Sequence, residues 1–395
     1  MPDQTGPYGL HHLPYGVFSR AGDAPRVGVR IGDEVFDLAG AEAAGLVDAG
    51  GAFAAPTLNA HLAQGRAAWA AARERITAVL RAGGDAVAGL LHPLAGVELR
   101  LPFAVGDYVD FYSSEHHAAN LGALLRPGSP PLLPNWKHIP IGYHGRAGTV
   151  VVSGTDVVRP RGQRKAPAAD APTYGPTARL DIEAEVGFVV GTGSALGERV
   201  GVDAFADHVF GVVLVNDWSA RDIQGWEYQP LGPFLGKSFA TSVSAWVTPL
   251  AALAGAWVPA PVQDPPVLPY LTGEAHLGLD LTLEVEWNGT VVSRPPFAPM
   301  YWTPAQQLAH LTANGASIRP GDLYASGTVS GPERDQTGSL FELTWGGAEP
   351  VTVGDAKRGF LEDGDTITLR ATAPGPDGAV VALGEVVGTI LPARP

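Results

Sequence analysis

Asp110, Tyr112, His116 and His117 fall within eight residues, in the stretch GDYVDFYSSEHHAANLG that begins at Gly106. Buried carboxylates and imidazoles are costly unless partnered, so this mixture does not read as core filler. A carboxylate can hold a metal, and a histidine beside it can take up a proton. A polar turn between two strands is the competing reading of the same residues.

Further acids recur along the chain. In Arg179–Val190, the residues Leu180, Ile182, Ala184, Val186 and Phe188 alternate with Asp181, Glu183 and Glu185, the period of a strand. Glu183 and Glu185 then share one face and repel unless a cation lies between them. The apolar run Val209–Val215 ends in Asn216-Asp217, which reads as a buried strand delivering a carboxylate at its end. Ser219-Ala220-Arg221-Asp222 reads as a helix start, and the three- and four-residue spacings of Arg221, Gln224 and Tyr228 place them on one helical face. Lys237 and Thr241 follow a Gly/Pro-rich loop. Asp110, Glu183, Glu185 and Asp217 form an all-oxygen set, which suits a hard cation such as Ca²⁺ or Mg²⁺ rather than zinc.

The elements around these residues are legible in outline. Val27–Ile31 and Glu34–Leu38 flank Gly32-Asp33, a hairpin signal. Thr57 is placed to cap an alanine-rich helical stretch with Leu62, Trp69, Ile76 and Leu80 on one face, stopped by Gly83-Gly84. His11, His12 and His61 have no charged company in sequence, so the first hundred residues read as a structural or assembly module. From Leu101 the texture changes to short strands and Gly/Pro turns. Val150–Val152 is strand-like, and Pro160 to Pro176 reads as a loop. Thr303, Pro304 and Gln306 signal a helix N-terminus, and Asn314-Gly315 its stop. Ser339–Trp345, which holds Glu342, reads as a strand.

Composition excludes several classes. With 395 residues, two domains are the default. Apolar residues at 45% and charged residues at 17% suit a globular enzyme. There is no cysteine, which removes disulfides, thiolate zinc sites and cysteine nucleophiles. The first residues show no signal-peptide pattern, and no apolar run approaches the roughly 18 residues of a membrane span. A cytoplasmic protein with no membrane partner is therefore expected. A net charge of −14 argues against nucleic acid. Seven basic residues (Arg126, Lys137, Arg146, Arg159, Arg161, Arg164, Lys165) nevertheless stand against the single acid Asp156 between Arg126 and Lys165, which suggests an anionic small molecule.

The strings DYVDFYSSEHHAANLG, LLPNWKHIPIGYHGR, RLDIEAEVGF, VLVNDWSARDIQGWEYQPLGPFLGKSF and RPGDLYASGTVSG closely resemble the fumarylacetoacetase family, the fumarylacetoacetate hydrolases of tyrosine and phenylalanine breakdown. The likeness runs in order from about residue 100 to the end and is looser before it. It implies a mainly β fold, with a small SH3-like N-terminal barrel over 1–100 and a larger mixed β-sandwich or β-roll catalytic domain over 101–395. It implies hydrolysis of a carbon–carbon bond in a diketo-dicarboxylate, a bound Ca²⁺ or Mg²⁺, and a homodimer. By position, Asp110, Glu183, Glu185 and Asp217 would bind the metal, with Lys237 and Thr241 near a second cation position. His117 would be the general base, oriented by Glu342. Arg221, Gln224 and Lys237 would steady the oxyanion and leaving group. Tyr112, Arg126, Tyr143, Gln224, Tyr228 and Thr328 would contact substrate. His116 stands directly before His117, and only the Ala-X-Asn that follows in the family motif selects His117 as base. The alternatives are a relative acting on acylpyruvates or other keto acids, and a non-enzymatic Ca²⁺-binding protein.

Overall fold

Strands whose side chains are apolar on both faces must be covered on both sides, and this chain builds two cores around one such sheet. In the computed structural model, which describes residues 4–166 and 168–395, Val209–Asp217 is buried at all nine positions. It pairs antiparallel with Ala184–Val190, which pairs in turn with Leu323–Ala325. Leu323–Ala325 runs parallel to Tyr108–Phe111, and that strand pairs antiparallel with Gly142–His144. On its other edge Val209–Asp217 meets Thr241–Val243 and Trp246–Pro249.

Alternate side chains feed the two cores. Val186, Phe188, Val212 and Leu214 pack with Leu369, Val381 and Val386 of a second, five-stranded sheet. Val189, Val213, Val215 and Leu323 pack instead with Leu62, Trp69 and Ile76 from the first hundred residues. Those residues join the same sheet, because Tyr15–Ser19 pairs with Trp246–Pro249. The chain is thus mainly β, with an N-terminal domain followed by a larger C-terminal one. Each fully buried Val or Leu contributes about 1.5–3 kcal/mol, which makes these cores the main support of the site.

Local signals mostly translate as expected. Arg26–Ile31 and Glu34–Asp37 form the hairpin. The helix Pro304–Leu311 carries a complete capping box between Thr303 and Gln306. Three expectations change. The alanine-rich stretch splits at Gly65, whose φ of 84° suits glycine, into Asn59–Leu62 and Arg66–Ala82, and Thr57 caps neither. The supposed loop from Pro160 contains a hairpin, Arg161–Arg164 against Thr173–Pro176, in which Gly162 faces Gly175. Ser339–Trp345 is not a strand, since Leu340–Leu343 is a helical turn.

Candidate active site

The histidine is placed by a strand-to-helix junction rather than by a turn between strands. The strand Tyr108–Phe111 leads into this junction, and Ser114 caps the helix Glu115–Leu125 by accepting the His117 N–H at 3.2 Å. His117 is 2% exposed, and its Nδ1 lies 2.6 Å from Glu342 Oε2. That oxygen also accepts from Ser330 Oγ at 3.1 Å and Ser339 Oγ at 2.7 Å, while Asn120 Nδ2 donates to Oε1 at 3.0 Å. Burial alone would raise the Glu342 carboxyl, but His117 and these donors outweigh it and hold it below its ordinary value. An ionised Glu342 only accepts, so Nδ1 of neutral His117 carries the proton and Nε2 is left as a base. Tyr112 stands edge-on to the ring with centroids 5.3 Å apart. His116 is half-buried and makes no hydrogen bond or ion pair among the described residues.

Sheet register assembles the carboxylates. Asp110 pairs with Ala325 on one side and Tyr143 on the other. Glu185 pairs with Val215, two residues before Asp217, and Asp217 pairs with Thr241. The result is one oxygen from each of Asp110, Glu183, Glu185 and Asp217 within 4.8 Å of the others, all four residues buried. At that separation two unit charges repel by about 3 kcal/mol at an effective dielectric near 20.

Two cations offset part of this. Lys237 Nζ is 2.5 Å from Glu183 Oε2 and 2.7 Å from Asp217 Oδ2, and Arg221 Nη1 is 2.7 Å from Glu183 Oε1. Burial works against ionisation of Glu183, but Lys237, Arg221 and His117 overcome it and keep this carboxyl below its usual range. Asp110 and Glu185 make no ion pair with either cation, and the charge of Lys237 lowers them too little to offset their burial. Asp110 Oδ1 and both Glu185 oxygens are buried without a hydrogen-bond partner. Burial, followed by the neighbouring acids, pushes both carboxyls well above the ordinary range. Unpartnered buried oxygens pointing into an acidic cage fit a hard divalent cation. Lys237 meets this cage as a cation: the carboxylates outweigh the burial of its Nζ and raise its pKa. Thr241 Oγ1 touches Asp217 Oδ1 only at 3.5 Å.

A cavity of about 380 Å³ opens beside the cage and the His117–Glu342 pair. His117, Glu183, Lys237 and all six expected substrate contacts line it: Tyr112, Arg126, Tyr143, Gln224, Tyr228 and Thr328. Leu121, Leu132, Trp136 and Ile141 supply an apolar wall. Thr328 Oγ1 and Arg126 Nε are buried without partners, and Tyr143 OH donates to Asp217 Oδ2 at 3.0 Å. Arg221 does not reach the lining. Its Nε holds Asp181 Oδ2 at 2.7 Å and its Nη1 holds Gln224 Oε1 at 3.2 Å, so it meets the cavity through Glu183 and Gln224.

The basic run disperses. Lys137 pairs with Glu115, Arg159 with Asp363 and Arg164 with Asp222, while Lys165 lies over the Trp226 ring. Arg146 lines an adjoining cleft of about 280 Å³, and Arg126 is the member of the run that lines the cavity beside the cage. Sequence reading passed over Ser330, Ser339 and Asp181. Asp181 was in view, on the alternating face of Glu183 and Glu185.

An oxygen-only cation cage beside a histidine–carboxylate pair, held at the strand ends of a mixed β fold, defines a hydrolase-like class of metal site. The comparisons narrow it. Residues 108–390 match the fumarylacetoacetate (FAA) hydrolase C-terminal family and residues 11–102 the fumarylacetoacetase N-terminal family. The chain is 46% identical to a fumarylacetoacetase of Caenorhabditis elegans, across 99% of this chain and 98% of that one. It is 45% identical to that of Homo sapiens, across 97% and 96%. A solved fumarylacetoacetate hydrolase from the psychrophilic Exiguobacterium antarcticum shares the fold, with a TM-score of 0.57, 17% identity and coverage of 97% and 100%. The chain belongs to the fumarylacetoacetate hydrolase family.

Proposed function

We propose that this chain hydrolyses the carbon–carbon bond between the fumaryl and acetoacetate parts of 4-fumarylacetoacetate, releasing fumarate and acetoacetate. The observation that carries the reading is the junction of two devices on one cavity: the His117–Glu342 pair and the four-carboxylate cage. Asp110, Glu183, Glu185 and Asp217 would hold the cation, which we take to be Ca²⁺ or Mg²⁺. When bound, it supplies Lewis-acid polarisation of the attacked carbonyl and neutralises the cage.

His117 Nε2 takes a proton from water, and the oxygen adds to the carbonyl carbon to give a tetrahedral oxyanion. Lys237 and Gln224, both on the lining, are the donors we assign to such an oxygen. Cleavage sends the bonding pair into the acetoacetate half as an enolate, which regains a proton from the His117 imidazolium. Glu342 stabilises that imidazolium through Nδ1. Arg126, with its Nε free, clamps a terminal carboxylate, and the apolar wall accepts the hydrocarbon between the ends. We further divide the chain into a domain of residues 1–100, SH3-like, and a catalytic domain of 101–395, and read it as a cytoplasmic homodimer. The family boundaries at 102 and 108 support that division.

Purified protein assayed on fumarylacetoacetate, acylpyruvates and oxaloacetate tests the reading. A higher kcat/KM on an acylpyruvate than on fumarylacetoacetate would falsify it. Arg126→Ala should raise KM more than it lowers kcat, because a remote clamp contributes mostly uniform binding. Arg221→Ala should instead lower kcat strongly, since it releases Glu183 and Gln224 together. Steady-state kinetics showing one common pattern for both variants would dissolve this division of labour.

A further inference from the structure

Asp181 ends the short strand Leu180–Asp181, which pairs with Ser219–Ala220, and its side chain is fully buried. Its carboxylate accepts four hydrogen bonds. Oδ1 takes the backbone N–H of Ile182 at 2.8 Å and of Leu340 at 2.8 Å. Oδ2 takes Arg221 Nε at 2.7 Å and the Phe341 N–H at 3.2 Å. Leu340 and Phe341 open the helical turn that carries Glu342. Arg221 is the guanidinium that grips Glu183. One carboxylate therefore joins the support of the His117–Glu342 pair to the cation that fixes one edge of the cage. His117 Nε2 lies 3.9 Å from Glu183 Oε1, so these two supports meet at the reacting end of the base.

We infer that Asp181 is a positioning residue for the hydrolysis, setting the placement of Glu342 and Arg221 relative to one another and, through them, of His117 relative to Glu183. This deepens the hydrolase reading and rests on it. A buried helix start needs acceptors for its first N–H groups, and Ser339 already serves Glu342. A full carboxylate shared with Arg221 does more than cap: it makes the two supports move together.

All four partners are donors, which makes the test sharp. In Asp181→Asn, whichever oxygen becomes NH₂ faces two N–H groups, so the isosteric change should do about as much harm as Asp181→Ala. Both variants are assayed on fumarylacetoacetate beside the parent protein, with folding followed by circular dichroism. Each should lose roughly 10²-fold in kcat, the scale of a misplaced catalytic group, with KM within about threefold. Formate, a carboxylate small enough for the space left in Asp181→Ala, should restore kcat at least about tenfold there and do nothing for His117→Ala. A crystal structure of Asp181→Ala should show the His117–Glu342 and Arg221–Glu183 separations both lengthened.

A folded variant with kcat within about threefold of the parent overturns the inference, as does a slow variant in which both pairs are unmoved. If neither variant folds, Asp181 is a folding element and the positioning role is lost. If the parent protein does not turn over fumarylacetoacetate while the Asp181→Ala crystal shows both pairs displaced, the reaction assignment fails and the positioning geometry stands.

Discussion

Replacing His117 with alanine is expected to lower kcat by roughly 10²–10⁴, the range for removing a general base, while leaving cation binding nearly intact. The separation of effects follows from the geometry. None of the four cage carboxylates bonds to His117, whose nearest approach to the cage is 3.9 Å. Glu342→Gln should cost less. The amide can still accept from Nδ1, Ser330 and Ser339 through its oxygen, but it no longer offsets the charge of the imidazolium, and its NH₂ at the other position faces the Asn120 donor. The double variant should be little worse than His117→Ala alone, because the two side chains act as one unit. His116→Ala is the internal control and should keep most activity. Pre-steady-state and steady-state rates on fumarylacetoacetate decide the matter. An inactive His116→Ala beside an active His117→Ala would place the base one residue earlier.

The residues that build this site differ in how far the sequence exposes them. Glu183 and Glu185 interrupt a period-two apolar pattern, and Asp217 ends a continuous apolar run, so both stretches announce strands that deliver carboxylates. Their convergence is a matter of register, since Ala325 faces both Asp110 and Gly187 across its two neighbouring strands. No sequence spacing encodes that pairing. Glu342 was harder to place, because Leu340, Phe341 and Leu343 read as a strand. A single helical turn forms there because Ser339 caps it and Asp181, some 160 residues away, accepts its first two N–H groups. Tertiary partners overrode local preference. The basic run shows the converse failure: seven cations close in sequence suggested one anion site, yet most meet a separate partner once the chain folds. Arg221 is a third kind of case. Its helical face was legible, but not that Asp181 and Glu183 would occupy its guanidinium.

Exhaustive chelation is expected to abolish activity and also to make the folded protein less stable as pH rises. Asp110 is raised by burial and then by the charge of Asp217, Glu185 by burial and then by the charge of Asp110, and Asp217 by its burial. A group whose carboxyl is raised on folding binds protons better folded than unfolded. Its stabilising contribution is complete below the ordinary carboxylate range and is lost as pH climbs through the raised folded value. Glu183, held low by Lys237 and Arg221, has the opposite sign and loses its contribution on acidification. Because three cage carboxyls are raised and one is lowered, the metal-free protein should weaken toward alkaline pH. A divalent ion takes the place of the protons, so binding should release them and tighten as pH rises. Thermal melts with and without Mg²⁺ or Ca²⁺ across a pH series, paired with activity and verified ion content, measure this. Zn²⁺ should substitute poorly at a cage of carboxylate oxygens. Asp110→Asn gives the most discriminating result. Removing one charge relieves repulsion, so the metal-free variant should melt higher than the metal-free parent at alkaline pH, while the same variant binds the ion more weakly and is stabilised less by it. A variant that is less stable than the parent in both states would mean that Asp110 serves as a structural acid, and full activity in ion-free protein would remove the cation from the reaction.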